Sequence, residues 1–217
     1  MTTIKLSKTS KLDGILSWSL QAIDTCPGSV AKGGGLVDAC RGCYATTGNY
    51  NYPNVKAPRA FNREDWSRDA WVNDMIAALD SSRYFRWFDS GDMYSLELAN
   101  KMLEVMRATP WVKHWLPTRM HKFSKFALVI AAMEALPNAV VRRSSDSVDG
   151  QTVGGATSST IFSADDQLPE GATVCRAYEH GGKCNGCRAC YSKGVPVIAY
   201  KAHGVKMAKV IRIMAAA

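Results

Sequence analysis

Cysteine is the residue type whose number and spacing in this sequence predict chemistry. The chain has 217 residues and seven cysteines, which fall into two groups. An odd number argues against a complete disulfide framework, and polar, glycine-rich surroundings argue against buried free thiols. Metal binding is therefore the interpretation we favour. The first group has three members and the second has four: Cys26, Cys40 and Cys43, and then Cys175, Cys184, Cys187 and Cys190.

The second group predicts a four-thiolate metal site. Cys184, Cys187 and Cys190 have the C-x-x-C-x-x-C spacing with which bacterial ferredoxins wrap an iron–sulfur cluster, and Cys175 supplies a fourth thiolate. Four thiolates also form a closed tetrahedral zinc site, so zinc is the alternative metal. The triple run favours a 4Fe-4S cluster over zinc.

The first group has one thiolate fewer than a closed site needs. A 4Fe-4S cluster held by Cys26, Cys40 and Cys43 would keep one iron free for a small-molecule ligand, as catalytic zinc keeps an open position. The sequence therefore predicts one or two 4Fe-4S clusters. The spacing is also compatible with a different partition, in which Cys40 and Cys43 share one four-thiolate site with Cys187 and Cys190.

The composition predicts an intracellular protein. Apolar residues make up 47% of the chain and charged residues 21%, as in ordinary globular proteins. Lys11 and Asp13 interrupt the short apolar run near the N-terminus, so we do not predict a secretory signal. No apolar run approaches the ~20 residues that span a bilayer. We therefore expect a cytoplasmic protein with reduced thiols and no membrane partner.

The segments between the two cysteine groups predict alternating helices and strands. A first strand over 14–23 would lead into the loop that begins at Cys26. Such alternation is typical of βα units on a parallel sheet. Further strands are expected at 84–88, 111–116 and 139–141, and helices are expected over 61–80, 95–110 and 122–137.

The second part of the chain is less regular. The segment RRSSDSVDGQTVGGATSST has no helical pattern, and short strands are expected at SSTIF, ATV and PVIAY. We predict a single domain over 1–217, with βα units and the three-cysteine loop in 1–142 and irregular strands with the four-cysteine group in 143–217. A complete eight-stranded barrel needs ~250 residues. The expected α/β fold is an incomplete TIM-like (β/α) barrel or an open parallel sheet, with a cysteine-rich C-terminal loop region.

Polar residues follow the predicted strands. In parallel α/β folds, ligands bind at the carboxyl ends of the strands, and these ends lie side by side. We therefore predict a polar ligand site around the three-cysteine loop. Its members follow the second and third predicted strands: Ser90, Gly91 and Asp92, and then Thr118 and Arg119.

A three-cysteine loop after a first strand, with an acidic glycine motif after the second, resembles the radical S-adenosylmethionine enzymes. The resemblance implies that the three cysteines hold a 4Fe-4S cluster whose free iron binds the methionine moiety of S-adenosylmethionine. Asp92 would then meet the amine of that cofactor and Arg119 its carboxylate. The spacing differs from the C-x-x-x-C-x-x-C of those enzymes, because thirteen residues separate Cys26 from Cys40.

The motifs CPGS, CRGCYATTGNY, FDSGD, PTRM, CNGCRACY and VIAYKAHG together resemble a bacteriophage family, the gene-product-eighty-eight-like proteins. The resemblance covers most of the chain. The resemblance implies a viral protein in the cytoplasm of the host cell. It supports the assignment of the cysteines as functional residues and does not indicate a specific activity.

The charge distribution predicts an alternative partner. The net charge is +8, and segments 107–125 and 193–217 contain no acidic residue. Such basic stretches favour nucleic acid as a binding partner. The second of them carries Lys193, Lys201, Lys206, Lys209 and Arg212.

The leading hypothesis from the sequence is an iron–sulfur protein that is catalytic at the three-cysteine cluster. The alternatives are a non-catalytic iron–sulfur redox or regulatory module and a zinc-bearing nucleic-acid-binding protein.

Overall fold

A mostly parallel sheet of eight strands organises the chain in the computed structural model, which describes residues 4–216. The strands lie in the order β1-β2-β3-β4-β5-β6-β8-β7, and every neighbouring pair is parallel except β1 with β2. Their bounds are β1 (Ser7–Thr9), β2 (Ile15–Trp18), β3 (Tyr84–Trp87), β4 (Lys113–Thr118), β5 (Ala139–Ser144), β6 (Ser158–Phe162), β7 (Thr173–Val174) and β8 (Val197–Lys201).

Six α-helices occur in the same part of the chain, and most of them connect successive parallel strands. Helices α2 and α3 lie between β2 and β3, α4 between β3 and β4, and α5 between β4 and β5. Within residues 4–216, none of them is both long and apolar enough to cross a bilayer. Their bounds are α1 (Asp38–Arg41), α2 (Pro53–Asp65), α3 (Trp71–Ala78), α4 (Leu96–Ala108), α5 (Ala127–Ala135) and α6 (Val205–Ala215).

One face of the sheet packs against α3, α4 and α5 and forms the main hydrophobic core. Trp18 of β2 contacts Trp71 of α3 and Trp87 of β3, with ring centroids 5.4 and 6.3 Å apart. All three indoles are fully buried. Because successive side chains of a strand point to opposite faces, Phe85 and Trp87 enter this core and Arg86 lies on the other face.

The four-cysteine segment covers that other face. Tyr191, the neighbour of Cys190, packs its ring against Trp115 of β4, with centroids 5.7 Å apart. Leu12, Trp115 and Tyr191 form a separate small buried cluster, which Cys184 and Cys190 also contact. The C-terminal loop region is therefore part of the packed structure.

The α/β class and most strand positions predicted from the sequence are confirmed. The expected strand before the Cys26 loop is β2, and SSTIF forms β6 over its full length. The TIM-like barrel is not confirmed. In the described residues the strands form one linear series with β1 and β7 at its two edges.

One prediction about the helices was wrong. The segment 61–80 is not one helix, because α2 ends at Asp65 and α3 begins at Trp71. The ammonium of Lys101 donates hydrogen bonds to the carbonyl oxygens of residues 66, 67 and 68. A continuous helix would use those oxygens itself. Helix α6, in the basic C-terminal segment, was not predicted, and neither was β1.

His114 of β4 makes the fold sensitive to acid. Its side chain is 1% exposed, and Nε2 lies 2.9 Å from the hydroxyl of Thr109. Burial lowers the pKa of His114 to about 3. Below pH 6.5 the imidazole of His114 becomes protonated in the unfolded chain but stays neutral in the folded chain. The free energy of unfolding therefore falls as the pH falls. We expect this residue to cost about 2–3 kcal/mol between pH 7 and pH 4.5.

Urea unfolding at several pH values measures this effect. The loss of stability between pH 7 and pH 4.5 should be smaller in His114→Gln and unchanged in the exposed control His180→Gln. In the folded wild type, the nuclear magnetic resonance signal of His114 should show a neutral ring at pH 4.5. A ring that titrates near pH 6.5 would contradict the buried placement.

Candidate metal centres

The three-cysteine loop folds back on itself so that distant cysteines approach each other. It follows β2, and an antiparallel bridge pairs Val30 with Leu36. The turn between them uses Gly34 and Gly35, whose φ angles of 88° and 72° favour glycine. Cys40 then lies in α1. The bridge therefore closes the long gap between the first and second cysteines of the loop.

The three thiols interact electrostatically. Burial, together with the nearby Asp92, Cys40 and Cys43, raises the pKa of Cys26 to about 12. Burial also raises the pKa of Cys40, and Cys43 adds to that effect while Arg119 opposes it. The structure thus brings the three predicted ligands into one neighbourhood. Because Cys26 is a neutral thiol at pH 7, a metal would have to displace its proton.

The Ser90–Asp92 turn after β3 lies against this loop. The amide of Asp92 donates a 3.0 Å hydrogen bond to the carbonyl oxygen of Thr25, the residue before Cys26. Gly91 has a φ of 85°, and a Cβ there would lie 2.6 Å from the Cβ of Leu20. Only glycine permits this approach. The hydroxyl of Ser90 donates to the carbonyl oxygen of Leu20 at 2.7 Å.

The carboxylate of Asp92 joins the ends of β3 and β4. It accepts hydrogen bonds from the hydroxyl of Thr118 at 2.7 Å, the amide of Arg119 at 2.9 Å and the amide of Met93 at 2.8 Å. Burial raises the pKa of Asp92, and these hydrogen bonds oppose the rise. The side chain therefore has a structural role that the sequence did not indicate. Its contact with a cofactor amine stays a prediction.

Arg119 and Lys122 extend the same edge to β5. The guanidinium of Arg119 donates to the carbonyl oxygen of Ser145 at 2.8 Å and lies 3.3 Å from a carboxylate oxygen of Asp146. The ammonium of Lys122 bonds the other oxygen of Asp146 and the carbonyl oxygen of Gly28. The ends of β2, β3, β4 and β5 thus meet, as the parallel arrangement predicts, and all five predicted polar residues lie there.

Asp89 is a further member of this edge that sequence reasoning missed. Its carboxylate accepts hydrogen bonds from Arg86 and Tyr50 and lies 3.6 Å from the guanidinium of Arg59. Its carbonyl oxygen accepts a 2.8 Å hydrogen bond from the hydroxyl of Tyr44, the residue after Cys43. The FDSGD motif contained this residue, and its partners Tyr44, Tyr50 and Arg59 come from distant segments.

In the four-cysteine group, Cys175 follows the carboxyl end of β7, whereas the segment that begins at Cys184 contacts the connection before β2. The amide of Cys184 donates to the carbonyl oxygen of Lys11, and the amide of Gly186 donates to the carboxylate of Asp13. Both acceptors belong to the connection before β2. Because the three-cysteine loop lies after β2, this placement favours separate groups of four and three over the mixed partition.

The four thiols also interact with each other. The pKa of Cys184 is raised to about 11, chiefly by burial; Lys11 opposes this rise, and Cys175, Cys190 and Cys187 add to it. Burial raises the pKa of Cys190 too, and a hydrogen bond with Tyr200 opposes the rise.

The sulfur atoms do not form a ready-made ligand set. In residues 4–216, no group of three or more His, Cys, Asp or Glu side chains has a geometry that could hold a metal ion. The donor chemistry of each group fits a thiophilic metal, because each contains several interacting thiols. Metal binding would therefore require side-chain rearrangement in both groups.

Comparison with known proteins identifies a family. A family model described as Gene product 88 matches residues 2–213. The chain belongs to the gene product 88 family. The match confirms the resemblance to the phage proteins and includes both cysteine groups, whereas the resemblance to radical S-adenosylmethionine enzymes gains no support. No curated protein and no solved structure matches the chain.

Gly28 determines how closely the Cys26 loop of this gene product 88 protein approaches β4. A Cβ at Gly28 would lie 2.5 Å from the Cβ of Arg119 and 2.9 Å from its carbonyl oxygen. Gly28→Ala should therefore displace the loop and lower the free energy of unfolding by about 1–3 kcal/mol. Urea unfolding measures the loss.

Gly33→Ala is the matched control within the same loop. A Cβ at Gly33 meets no atom within 4 Å. Its effect should stay within about 0.5 kcal/mol. Equal losses for the two variants would contradict the packing of the loop against Arg119.

Proposed function

We propose that this gene product 88 protein is an iron–sulfur protein with an open iron at the three-cysteine group. The observation that carries the proposal is the position of the loop with Cys26, Cys40 and Cys43, which Asp92 and Lys122 attach by hydrogen bonds to the edge where four parallel strands end. The carboxyl edge of a parallel sheet is the position at which α/β proteins bind ligands. Because the family is a phage family and the sequence composition is that of an intracellular protein, we further propose that the protein is located in the host cytoplasm.

The residues around the three thiols suit an anionic cluster and a small ligand. Cys26, Cys40 and Cys43 would hold a 4Fe-4S cluster, which supplies one-electron chemistry and an iron position without a protein thiolate. Arg119 and Lys122 lie close enough to Cys40 to lower the pKa of its thiol. Such cations favour a cluster with negative charge.

S-adenosylmethionine is the candidate ligand at this position. A carboxylate has about four acceptor sites, and that of Asp92 uses three of them within the protein. One remains for an amine. Arg119 has five donors, and its described contacts with Ser145 and Asp146 leave others for a carboxylate. Thr118 would fix the carboxylate of Asp92 through its hydroxyl, and Ser90 and Gly91 would hold the turn before Asp92 against Leu20.

Electron paramagnetic resonance of the reduced, anaerobic protein tests this assignment. Saturating S-adenosylmethionine should change the cluster spectrum, and Asp92→Asn should weaken the response while the exposed control Asp166→Asn preserves it. An unchanged wild-type spectrum would contradict the open-iron ligand and favour the non-catalytic redox or regulatory module.

The four-cysteine group is proposed as a second, structural centre. Cys175, Cys184, Cys187 and Cys190 would hold either a second 4Fe-4S cluster or zinc, since both accept four thiolates.

A basic helix supports nucleic acid as a second candidate partner. Lys193 donates to carbonyl oxygens at the end of α5, and Lys201 pairs with Asp165, so both are used within the fold. Lys206, Lys209 and Arg212 all line one shallow surface of α6, although the ammonium of Lys206 also donates to the hydroxyl of Thr46. No acidic residue occurs in 193–217 to neutralise them within that segment.

Fluorescence anisotropy with labelled single-stranded and duplex DNA at several salt concentrations tests this candidate. Replacing Lys206, Lys209 and Arg212 with Gln should weaken binding and reduce the salt slope by roughly 0.7–0.9 for each phosphate that the variant no longer neutralises. The control replaces an equal number of exposed lysines outside α6: Lys8, Lys32 and Lys56. Equal binding by both triple variants would contradict a site on α6.

A further inference from the structure

Arg142 of β5 is a fully buried arginine that holds the four-cysteine segment. It is 0% exposed, and its five N–H donors all meet backbone carbonyl oxygens. Nε donates to Cys190 at 3.1 Å. The two terminal nitrogens donate to Ala189, Ser192 and Val195 at 2.9 Å each, with a longer 3.4 Å bond to Ser158. One guanidinium thus fixes the backbone on both sides of a predicted metal ligand.

The positive charge of Arg142 has no carboxylate partner among the described residues. The ion pairs of residues 4–216 do not include it, and the side chains that act on it electrostatically are Cys190 and Tyr200. Neutral carbonyl oxygens satisfy its hydrogen bonds without cancelling its charge. A buried charge without a counter-charge costs several kcal/mol. Tyr200 is a neutral phenol, which leaves the Cys190 sulfur as the nearby group able to become an anion.

Other side chains reinforce this positive field. Arg86 also acts on Cys190, and Lys11 acts on Cys184. The hydroxyl of Tyr200 lies 3.6 Å from the sulfur of Cys190, within reach for donation to a thiolate. Four thiolates around zinc carry a net charge of about −2, and a cluster with four thiolates is anionic as well. The surroundings of the group therefore match the charge of a loaded centre.

We propose that Arg142 is the positioning residue and counter-charge of the four-cysteine centre. Its hydrogen bonds fix the backbone around Cys190, and its charge stabilises the thiolate–metal centre from within the sheet. This inference rests on the proposed function, since it needs a metal at Cys175, Cys184, Cys187 and Cys190.

The rate of metal release to a chromophoric chelator, measured on protein purified anaerobically, tests the inference. The measurement uses the Cys43→Ser background, so that the released iron or zinc comes from the four-cysteine group. Arg142→Met, which removes the charge, should release metal at least ten times faster than the parent. Arg142→Lys keeps the positive charge but has three N–H donors instead of five. Because the charge is retained, its metal-release rate should stay within about threefold of the parent rate.

The outcomes separate the inference from the function on which it rests. Equal release rates in the Met variant and the parent, or equal acceleration in the Met and Lys variants, would overturn the counter-charge role alone. A parent that contains no metal sensitive to Cys187→Ser would overturn the four-cysteine centre itself. If Arg142→Met does not fold, Arg142→Lys decides: slow release supports the inference, and a tenfold acceleration contradicts it.

Discussion

Cys187→Ser should remove the metal from the four-cysteine group and lower the free energy of unfolding by about 4 kcal/mol. That value is the stabilisation from a ligand present at about a thousand times its Kd. Residues 179–183, just before Cys184, are all exposed, so packing contributes little to holding this part of the segment. Because the site does not exist in the unfolded chain, metal binding adds directly to folding free energy.

Thermal unfolding with metal analysis checks this expectation. A loss of about 4 kcal/mol corresponds to a fall in Tm of about 8–16 °C for a chain of this size. Lys183→Ser, which changes an exposed neighbour, should leave both Tm and metal content unchanged. Cys187→Ser protein with the metal content and Tm of the wild type would show that this cysteine is not a ligand.

Asp92→Ala should destabilise the fold by about 3–4 kcal/mol, because it leaves buried donors without an acceptor. The hydroxyl of Thr118 and the amides of Met93 and Arg119 all donate to this carboxylate. An unsatisfied buried donor costs about 1–3 kcal/mol, and the deleted side chain adds a cavity. The same substitution disconnects the end of β3 from the end of β4, so the Cys26 loop should loosen as well.

Urea unfolding measures the loss, with Asp166→Ala as the exposed control. The control should stay within about 0.5 kcal/mol of the wild type. Reactivity of Cys26 toward a thiol reagent, in metal-free protein, should rise in Asp92→Ala and stay constant in the control. Full stability of Asp92→Ala would contradict the buried connection between the two strand ends.

The sequence predicted most of the strands, the helices α4 and α5, and the edge of the sheet at which polar residues gather. SSTIF became β6 because a short apolar and β-branched run between turn residues fits a buried strand. The convergence of Asp92, Arg119 and the Cys26 loop follows from a general rule, since successive parallel strands end at one edge. This convergence could therefore be predicted without knowledge of any contact between side chains.

The sequence could not predict features that depend on long-range contacts. The break between α2 and α3 depends on Lys101, a residue of α4, which bonds the carbonyl oxygens of the turn. Arg142 lies in a strand whose predicted part ended before it, and arginine is usually exposed. Its burial follows from carbonyl oxygens about 50 residues further along the chain. Sequence spacing contains no signal for such partners.

Iron, acid-labile sulfide and zinc per chain, measured after anaerobic purification, test the central claim most directly. We predict about four iron and four sulfide at the three-cysteine group, and either a second set or one zinc at the four-cysteine group. Cys43→Ser should lose the first set, and Cys187→Ser the second centre. Colourless wild-type protein without iron and sulfide would contradict the iron–sulfur assignment at both groups.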